Sequence, residues 1–263
     1  MKIETLTLSA PDFAALDTLA RRTDPAILWP VGPHPLVAHW LDHAVRLGCR
    51  RVVIHAADRP ALIREELAEG AYWSLEIEVS SAPAPADAVA LLRLPNEPQR
   101  PAPQTAAELL EWWLQLNLRW LADRKPDAVS IDRYRDDGGW IAPRATVHPS
   151  ATLTAPYWIG AGTEIGPDCR IGPHAVVGAG CLLERDVRLE NSLVLSGTFL
   201  GSHLDVDGKI FAGATLLDPS NGTRVEIMDR FIASALASPE RPSGSRLAKM
   251  FRGLWRSGAV SAS

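Results

Sequence analysis

Between residues 141 and 199 the apolar positions recur every sixth residue. Ile141, Val147, Leu153, Ile159, Ile165, Ile171, Val177, Leu183, Leu189 and Leu195 are aliphatic without exception. Four places after each stands a second, usually small residue: Ala145, Ala151, Tyr157, Thr163, Cys169, Ala175, Cys181, Val187, Leu193 and Phe199. A helix needs a period near 3.6 and a lone strand a period of 2. A period of six suits short strands that turn a corner in every hexad. With three hexads to a turn, residues eighteen apart stack, which predicts Ile141, Ile159, Val177 and Leu195 as one inward ladder. Gly160, Gly166, Gly172 and Gly178 follow the aliphatic position, where the backbone must bend. After Leu195 the interval drops to five, and Leu200, Gly201, Leu204 and Val206 begin a less regular coil. Residues 217–223 are expected to end it, and residues 225–236 to cap the bare strand edges of the last turn.

The first half of the chain alternates differently. Residues 2–8 read as a strand and Ser9 as the cap of a helix over 11–22, with Phe13, Leu16, Leu19 and Ala20 on one face. A helix over 35–47 carries Leu36, Val37, Trp40, Leu41, Ala44 and Val45 as an apolar stripe. Gly48 then supplies the left-handed residue that stops it. A buried strand at 51–57, a helix at 60–68 and a strand at 74–80 with Leu75, Ile77 and Val79 inward complete the succession. Strand, helix, strand, helix, strand predicts a parallel α/β sheet.

Thr105 with Glu108 three residues on forms a capping box. The helix it opens is apolar almost all round, through Leu109, Leu110, Trp112, Trp113, Leu114, Leu116, Leu118, Trp120 and Leu121. Such a helix must be buried, between sheet and coil or at a subunit contact. Its three tryptophans also offer a stacking surface for a sugar. Residues 125–140 are polar, hold Gly138 and Gly139, and read as a linker. Near the end, after a Pro/Ser/Gly stretch at 238–245, Leu247, Met250, Phe251, Leu254 and Trp255 recur at helical spacing. Arg246, Lys249, Arg252 and Arg256 take the other sides, as on a helix at a membrane surface or one docked on a protein surface.

Bulk properties narrow the classes. A chain of 263 residues accommodates two domains. A net charge of −4 with no basic run gives no reason to expect a nucleic-acid partner. Three cysteines make no disulfide framework, and Cys169 and Cys181 take inward hexad positions. No signal peptide is read, and no apolar run approaches the roughly 18 residues of a membrane span, so a cytoplasmic protein is expected.

Candidate chemistry is sparse. His39 and His43 stand four apart with Asp42 between them, a spacing that suits a metal on one helix face. They point away from the apolar stripe and no third ligand is evident, so no metal site is assigned. His148, His174 and His203 lie in or near the coils. Of these, His174 stands at an outward turn position that solvent or a partner could reach.

The stretch "IGAGTEIGPDCRIGPHAVVGAGCLLERDV" resembles the hexapeptide-repeat family of left-handed parallel β-helices. The left hand is what that resemblance implies, since ordinary parallel crossovers are right-handed. The family includes acyltransferases, in which a histidine base works beside coenzyme A, and the C-terminal domains of sugar-nucleotide pyrophosphorylases. The fold does not choose between them. Residues 20–80 resemble the nucleotidyltransferase domain of NDP-sugar pyrophosphorylases such as the mannose-1-phosphate guanylyltransferases. The likeness rests on Pro30, Val31, Gly32, Pro35 and Leu36, followed by Gly48, Val52, Val53 and Ile54, and on the domain order.

The departures fall on the chemistry. The chain has no glycine before Gly32, so a Gly-rich phosphate loop cannot follow the first strand, where Ser9, Ala10, Pro11 and Asp12 stand. The family's lysine falls on Ala26 and its next proline on Ile27. Where a long insert with a metal-binding Asp would come, residues 81–103 bring Pro83, Pro85, Pro95, Pro98, Pro101 and Pro103, with Asp87 ahead of the apolar run. Without these groups nucleotidyl transfer loses its electrostatic stabilisers.

The expected architecture is therefore a shortened nucleotidyltransferase-like, Rossmann-like α/β domain at 1–124 and a linker at 125–140. A left-handed parallel β-helix follows at 141–222, with a cap and C-terminal amphipathic helix at 223–263. The expected function is that of a pyrophosphorylase-like protein of sugar-nucleotide or polysaccharide metabolism, catalytically degenerate. It keeps Pro30, Val31 and Gly32 as the remnant of a binding motif and needs Mg only if transfer is retained. The alternatives are a coenzyme A-dependent acyltransferase using His174 and a non-catalytic scaffold or regulatory subunit of an active transferase. Expected partners are further copies through the β-helix, an active transferase homologue, and a membrane surface through 246–256.

Overall fold

The structure is a computed structural model that describes residues 4–13, 16, 24–67, 73–98, 100–124, 132–135 and 137–236. The helix expected over 11–22 falls largely outside these residues, and the segment 246–256 wholly so. Two compact units form: one from residues up to Trp29 with His34–Ala102, the other from Pro30–Pro33 with the chain from Pro103 onward to Ser238.

The first unit is built on four parallel strands, β1 (Thr5–Ser9), β2 (Arg51–His55), β3 (Glu76–Ser80) and β4 (Val89–Ala90), in the order β3-β2-β1-β4. Leu6 pairs in register with Val52 and Leu8 with Ile54, and Val52 and Ile54 pair in turn with Ile77 and Val79. Helix α1 (Leu36–Leu47) buries Leu36, Val37, Trp40, Leu41 and Ala44, and Gly48 ends it at φ 75° as its lack of a Cβ permits. Val45, expected in the same stripe, is 44% exposed because it falls at the margin of the buried arc. Helix α2 (Pro60–Leu67) buries Ile63 and Leu67. Ser9 is no helix cap: it is the last residue of β1, and its carbonyl accepts from Leu91 N–H at 2.9 Å. The proline-rich stretch, which carried no strand assignment, contributes β4 at the sheet edge beside β1.

The second unit is a coil of parallel strands in three walls. The central wall carries Trp140–Ile141, Tyr157–Ile159, Ala175–Val177, Ser192–Val194 and Ile210–Ala212 in succession. The other two walls run Thr146–Val147, Glu164–Ile165, Leu182–Leu183, Thr198–Leu200 and Thr152–Leu153, Arg170–Ile171, Arg188–Glu190, Asp205–Asp207. Ile141, Ile159 and Val177 stack eighteen apart, as the hexads predict. The next rung is Val194 rather than Leu195, because the corner at Asn191, held at φ 46°, is one residue shorter than its predecessor at Pro173 and His174. The slip therefore comes one corner earlier than the spacing indicates. Ser192 and Thr198 take the small inward positions in place of Leu193 and Phe199.

Inside the coil, side chains of one rung meet those of the next about 4.8 Å away, so burial is continuous along each ladder. Thr163 is buried there because its Oγ1 donates to Gly178 O at 2.7 Å and accepts from Cys181 N at 3.2 Å. The outer face of the central wall is also buried, through Trp140, Trp158, Val176, Leu193 and Ile210. Helix α3 (Ala106–Asp123) packs on this wall, against Ala175–Val177, Ser192–Val194 and Thr215–Asp218. That contact explains why α3 is apolar almost all round, and it joins to the coil a helix that the sequence reading grouped with the sheet. The outward positions Arg170, Arg188 and Asp205 of another wall stay exposed.

Thr105 caps α3 through Glu108 N, while the Glu108 carboxylate reaches back to Gln104 N at 2.7 Å rather than to Thr105 itself. The segment read as a linker contributes Arg133–Tyr134, which pairs antiparallel with the first coil strand. Beyond the last parallel strand the chain turns back twice, as Thr215–Asp218 and Thr223–Glu226. Ala233–Ala235 then pairs antiparallel with Thr198–Leu200 and buries Ala233 against the coil interior. No helix among the described residues is long and apolar enough to cross a membrane.

Candidate functional site

In open parallel sheets, ligands bind beyond the carboxyl ends of the strands, where the strand order reverses. Here that place is the edge formed by the ends of β1, β2 and β4. Its described residues suit an anion poorly. Ala10 N–H is taken by His55 O at 2.8 Å, Pro11 has no N–H to give, and Asp12 adds a negative charge. The cation after β2 is Arg59, whose guanidinium is held in a forked pair by Asp58 at 2.7 and 2.8 Å. That pair raises the Arg59 pKa, and the negative charges of Asp24 and Asp12 add to the effect. The local field therefore disfavours a triphosphate.

The remnant motif Pro30–Val31–Gly32 is engaged by α3 within the second unit. Asn117, fully buried, accepts from Gly32 N–H through Oδ1 at 2.8 Å. Its Nδ2 donates to Pro30 O at 3.1 Å and to Trp113 O at 3.0 Å. Trp113 Nε1 donates to the same Pro30 O at 2.8 Å. Gly32 sits at φ 61°, and a Cβ there would lie 2.5 Å from the Trp120 ring. Two polar backbone atoms of this turn, Pro30 O and Gly32 N–H, are thus spent on a helix. Asn117 was missed as a sequence signal: one amide in an apolar helix is legible as a buried polar group only when its partners are known.

The tryptophans of α3 form no open stacking surface. Trp112 and Trp113 are buried. Trp120 meets Trp158 edge-to-face at 5.7 Å, and the Arg124 guanidinium lies 4.9 Å from the Trp120 ring and 4.4 Å from that of Trp140. Asp132 closes this group, accepting from Arg124 at 2.5 Å and from Trp158 Nε1 at 3.1 Å. It is a satisfied cation–π cluster that welds α3 and residues 132–134 to the coil.

The coil histidines are not brought together. His174 is half-buried at a corner with φ 56°, its backbone bonded to Pro156 O and Ser192 N. No hydrogen bond to its ring is found among the described residues. His148 Nδ1 lies 2.9 Å from Ser150 Oγ, and His203 Nδ1 lies 3.1 Å from Asp186 Oδ2. The His203 hydrogen bond holds the Asp186 carboxyl below its ordinary range. His43 stacks edge-on against Trp40 at 5.9 Å, and burial, with Arg46 and Arg93, lowers its pKa. Among the described residues no three His, Cys, Asp or Glu side chains are grouped to hold a metal ion. All three thiols are free and buried, and burial pushes Cys181 up to about 11.

A family model described as the GMPPB C-terminal domain matches residues 153–226, which is most of the coil through its last strand. The match supports a mannose-1-phosphate guanylyltransferase-like, sugar-nucleotide pyrophosphorylase-like kinship. A comparison with curated proteins gives no match.

Proposed function

We propose that this protein is a sugar-nucleotide pyrophosphorylase-like protein of sugar-nucleotide or polysaccharide metabolism that has lost nucleotidyl transfer and acts through assembly. The coil is taken as left-handed, as in the hexapeptide-repeat proteins it resembles. The observation that carries the loss is the Pro30–Val31–Gly32 turn, whose Pro30 carbonyl and Gly32 N–H are bonded to Asn117 and Trp113. The pairing of Arg59 with Asp58 supports it, since transfer needs cationic groups on the phosphates and this guanidinium is already engaged by a carboxylate. The role left is that of a scaffold or regulatory subunit, associating with further copies or with an active transferase homologue. Exposed apolar side chains at the end of the coil favour that role.

Two assays and a pull-down separate this from catalysis. Pyrophosphate release from a nucleoside triphosphate and a sugar 1-phosphate with Mg would establish an active enzyme. Thiol release from acetyl-coenzyme A that is lost in His174→Ala would establish an acyltransferase instead. Silence in both, with co-purification of an active transferase, is the outcome expected.

A further inference from the structure

We propose that Asn221 is a site of spontaneous deamidation, at which the side-chain amide is lost to attack by the next backbone nitrogen. Residues 219–222 join two antiparallel strands of the central wall, Thr215–Asp218 and Thr223–Glu226, and Asp218 pairs with Thr223 across the turn. Asn221 is exposed, and Gly222 follows it at φ 69°. Glycine sets no side chain beside its own nitrogen, so that nitrogen is open to a neighbouring carbonyl. Thr223 N–H donates to Asn221 Oδ1 at 2.9 Å. Negative charge collects on that oxygen when Cγ is attacked, and the bond stabilises it as an oxyanion donor does. Asn221 Nδ2 makes no hydrogen bond among the described residues, so it is free to leave into water.

The step needs only water. Gly222 N loses its proton and attacks Asn221 Cγ. A Cγ–N bond forms, the Cγ–Nδ2 bond breaks, and the amide takes up a proton and departs as ammonia, leaving a succinimide. Water then opens the ring. Addition at Cγ gives aspartate; addition at the backbone carbonyl gives isoaspartate, whose main chain is longer by one carbon. Gly222 N–H donates to Asp218 O at 2.9 Å, and opening that bond comes first, so the folded turn reacts slowly.

The other three asparagines are held away from this reaction. Asn117 is fully buried, with both ends of its amide bonded. Asn191 donates its Nδ2 to Asp207 at 2.9 Å, and the nitrogen after it, Ser192 N, is bonded to His174 O inside the coil. Asn96 precedes Glu97, whose nitrogen is bonded to Leu94 O and flanked by a side chain.

The two products differ in consequence. Aspartate keeps an oxygen for Thr223 N–H. Isoaspartate shifts Gly222, where space is short: a Cβ there would lie 2.6 Å from Ala107 N in the first turn of α3. The hydrogen bonds at Gly222 N and Thr223 N are then lost, and the hairpin that closes the central wall loosens.

The full chain is incubated for several weeks at about 37 °C, at about pH 7 and about pH 9, and each asparagine is followed by peptide mapping with isoaspartate detection. Asn221 should convert before the others, and about tenfold or more faster at the higher pH, because the nucleophile is the deprotonated amide. Asn221→Gln requires a larger ring and should convert at least about tenfold more slowly. The isoaspartate form, separated by ion exchange, should melt about 4–8 °C below the fresh chain for two lost hydrogen bonds, while Asn221→Asp stays within about 2 °C of it. No conversion at Asn221, or earlier conversion at Asn96 or Asn191, overturns the assignment. An isoaspartate form that melts with the fresh chain overturns the consequence drawn for the hairpin.

Discussion

Asn117→Ala removes the group that ties the Pro30–Val31–Gly32 turn to α3. Three hydrogen bonds go at once, at 2.8, 3.1 and 3.0 Å, all around a side chain that is fully buried. The Pro30 carbonyl keeps its bond from Trp113 Nε1. Gly32 N–H is left without its acceptor, and an unsatisfied buried donor costs about 1–3 kcal/mol. Adding the bond lost at Trp113 O and the volume of the missing amide gives about 3 kcal/mol. At about 2–4 °C per kcal/mol for a domain of this size, Tm should fall by roughly 6–12 °C in a calorimetric scan. Asn117→Asp sharpens the test. It keeps an acceptor for Gly32 N–H but turns a carboxylate oxygen toward two carbonyls, so only the protonated acid fits. Its folded-state carboxyl pKa must then be raised, and its stability should fall as pH rises from about 4 to 8. A loss below about 0.5 kcal/mol in Asn117→Ala, or an Asn117→Asp variant insensitive to pH, would refute the reasoning.

Gly32→Ala combines a positive φ with a Cβ 2.5 Å from the Trp120 ring, and should lose about 2–4 kcal/mol of stability in urea titration. Thr163→Val leaves Cys181 N–H facing a methyl group inside the coil, costing about 1–3 kcal/mol by the same measurement. Thiol reagent added at pH 8 should leave all three cysteines unmodified until the protein unfolds, since each is buried and burial holds Cys181 near 11. Asp218 is held below the ordinary carboxylate range by Lys209 and Ser220. The stability this adds is present above the unfolded carboxyl pKa, near 4, and is lost as pH falls through the lower folded value, so Asp218→Asn should flatten the acid limb of a Tm–pH curve.

The coil was legible because its interior repeats one environment, and a six-residue period fits neither a helix nor a lone strand. Its register past Leu189 was not. The run Leu193-Val194-Leu195 offers an aliphatic side chain in either frame, and only the shortened corner at Asn191 selects Val194. In the first unit β1, β2, β3 and the helices α1 and α2 followed from periodicity and from Gly48, whereas β4 lies in a proline-rich stretch without alternation. Ser9 was misread because a serine before a proline looks the same at a strand end as at a helix start. The cluster of Arg124, Asp132, Trp140 and Trp158 joins residues up to 34 positions apart, and no local pattern announces it. The same holds for Asn117, whose partner Gly32 lies 85 residues earlier. The polar atoms that close this candidate site are long-range by nature.

Titration calorimetry of the purified chain with GTP and Mg, alone and with mannose 1-phosphate, reads the central claim most directly. A turn already bonded to Asn117 and a sheet edge crowded with carboxylates predict no saturable heat up to millimolar nucleotide, in wild type and in Asp12→Ala alike. Stoichiometric binding of the nucleotide at micromolar concentration would contradict the account.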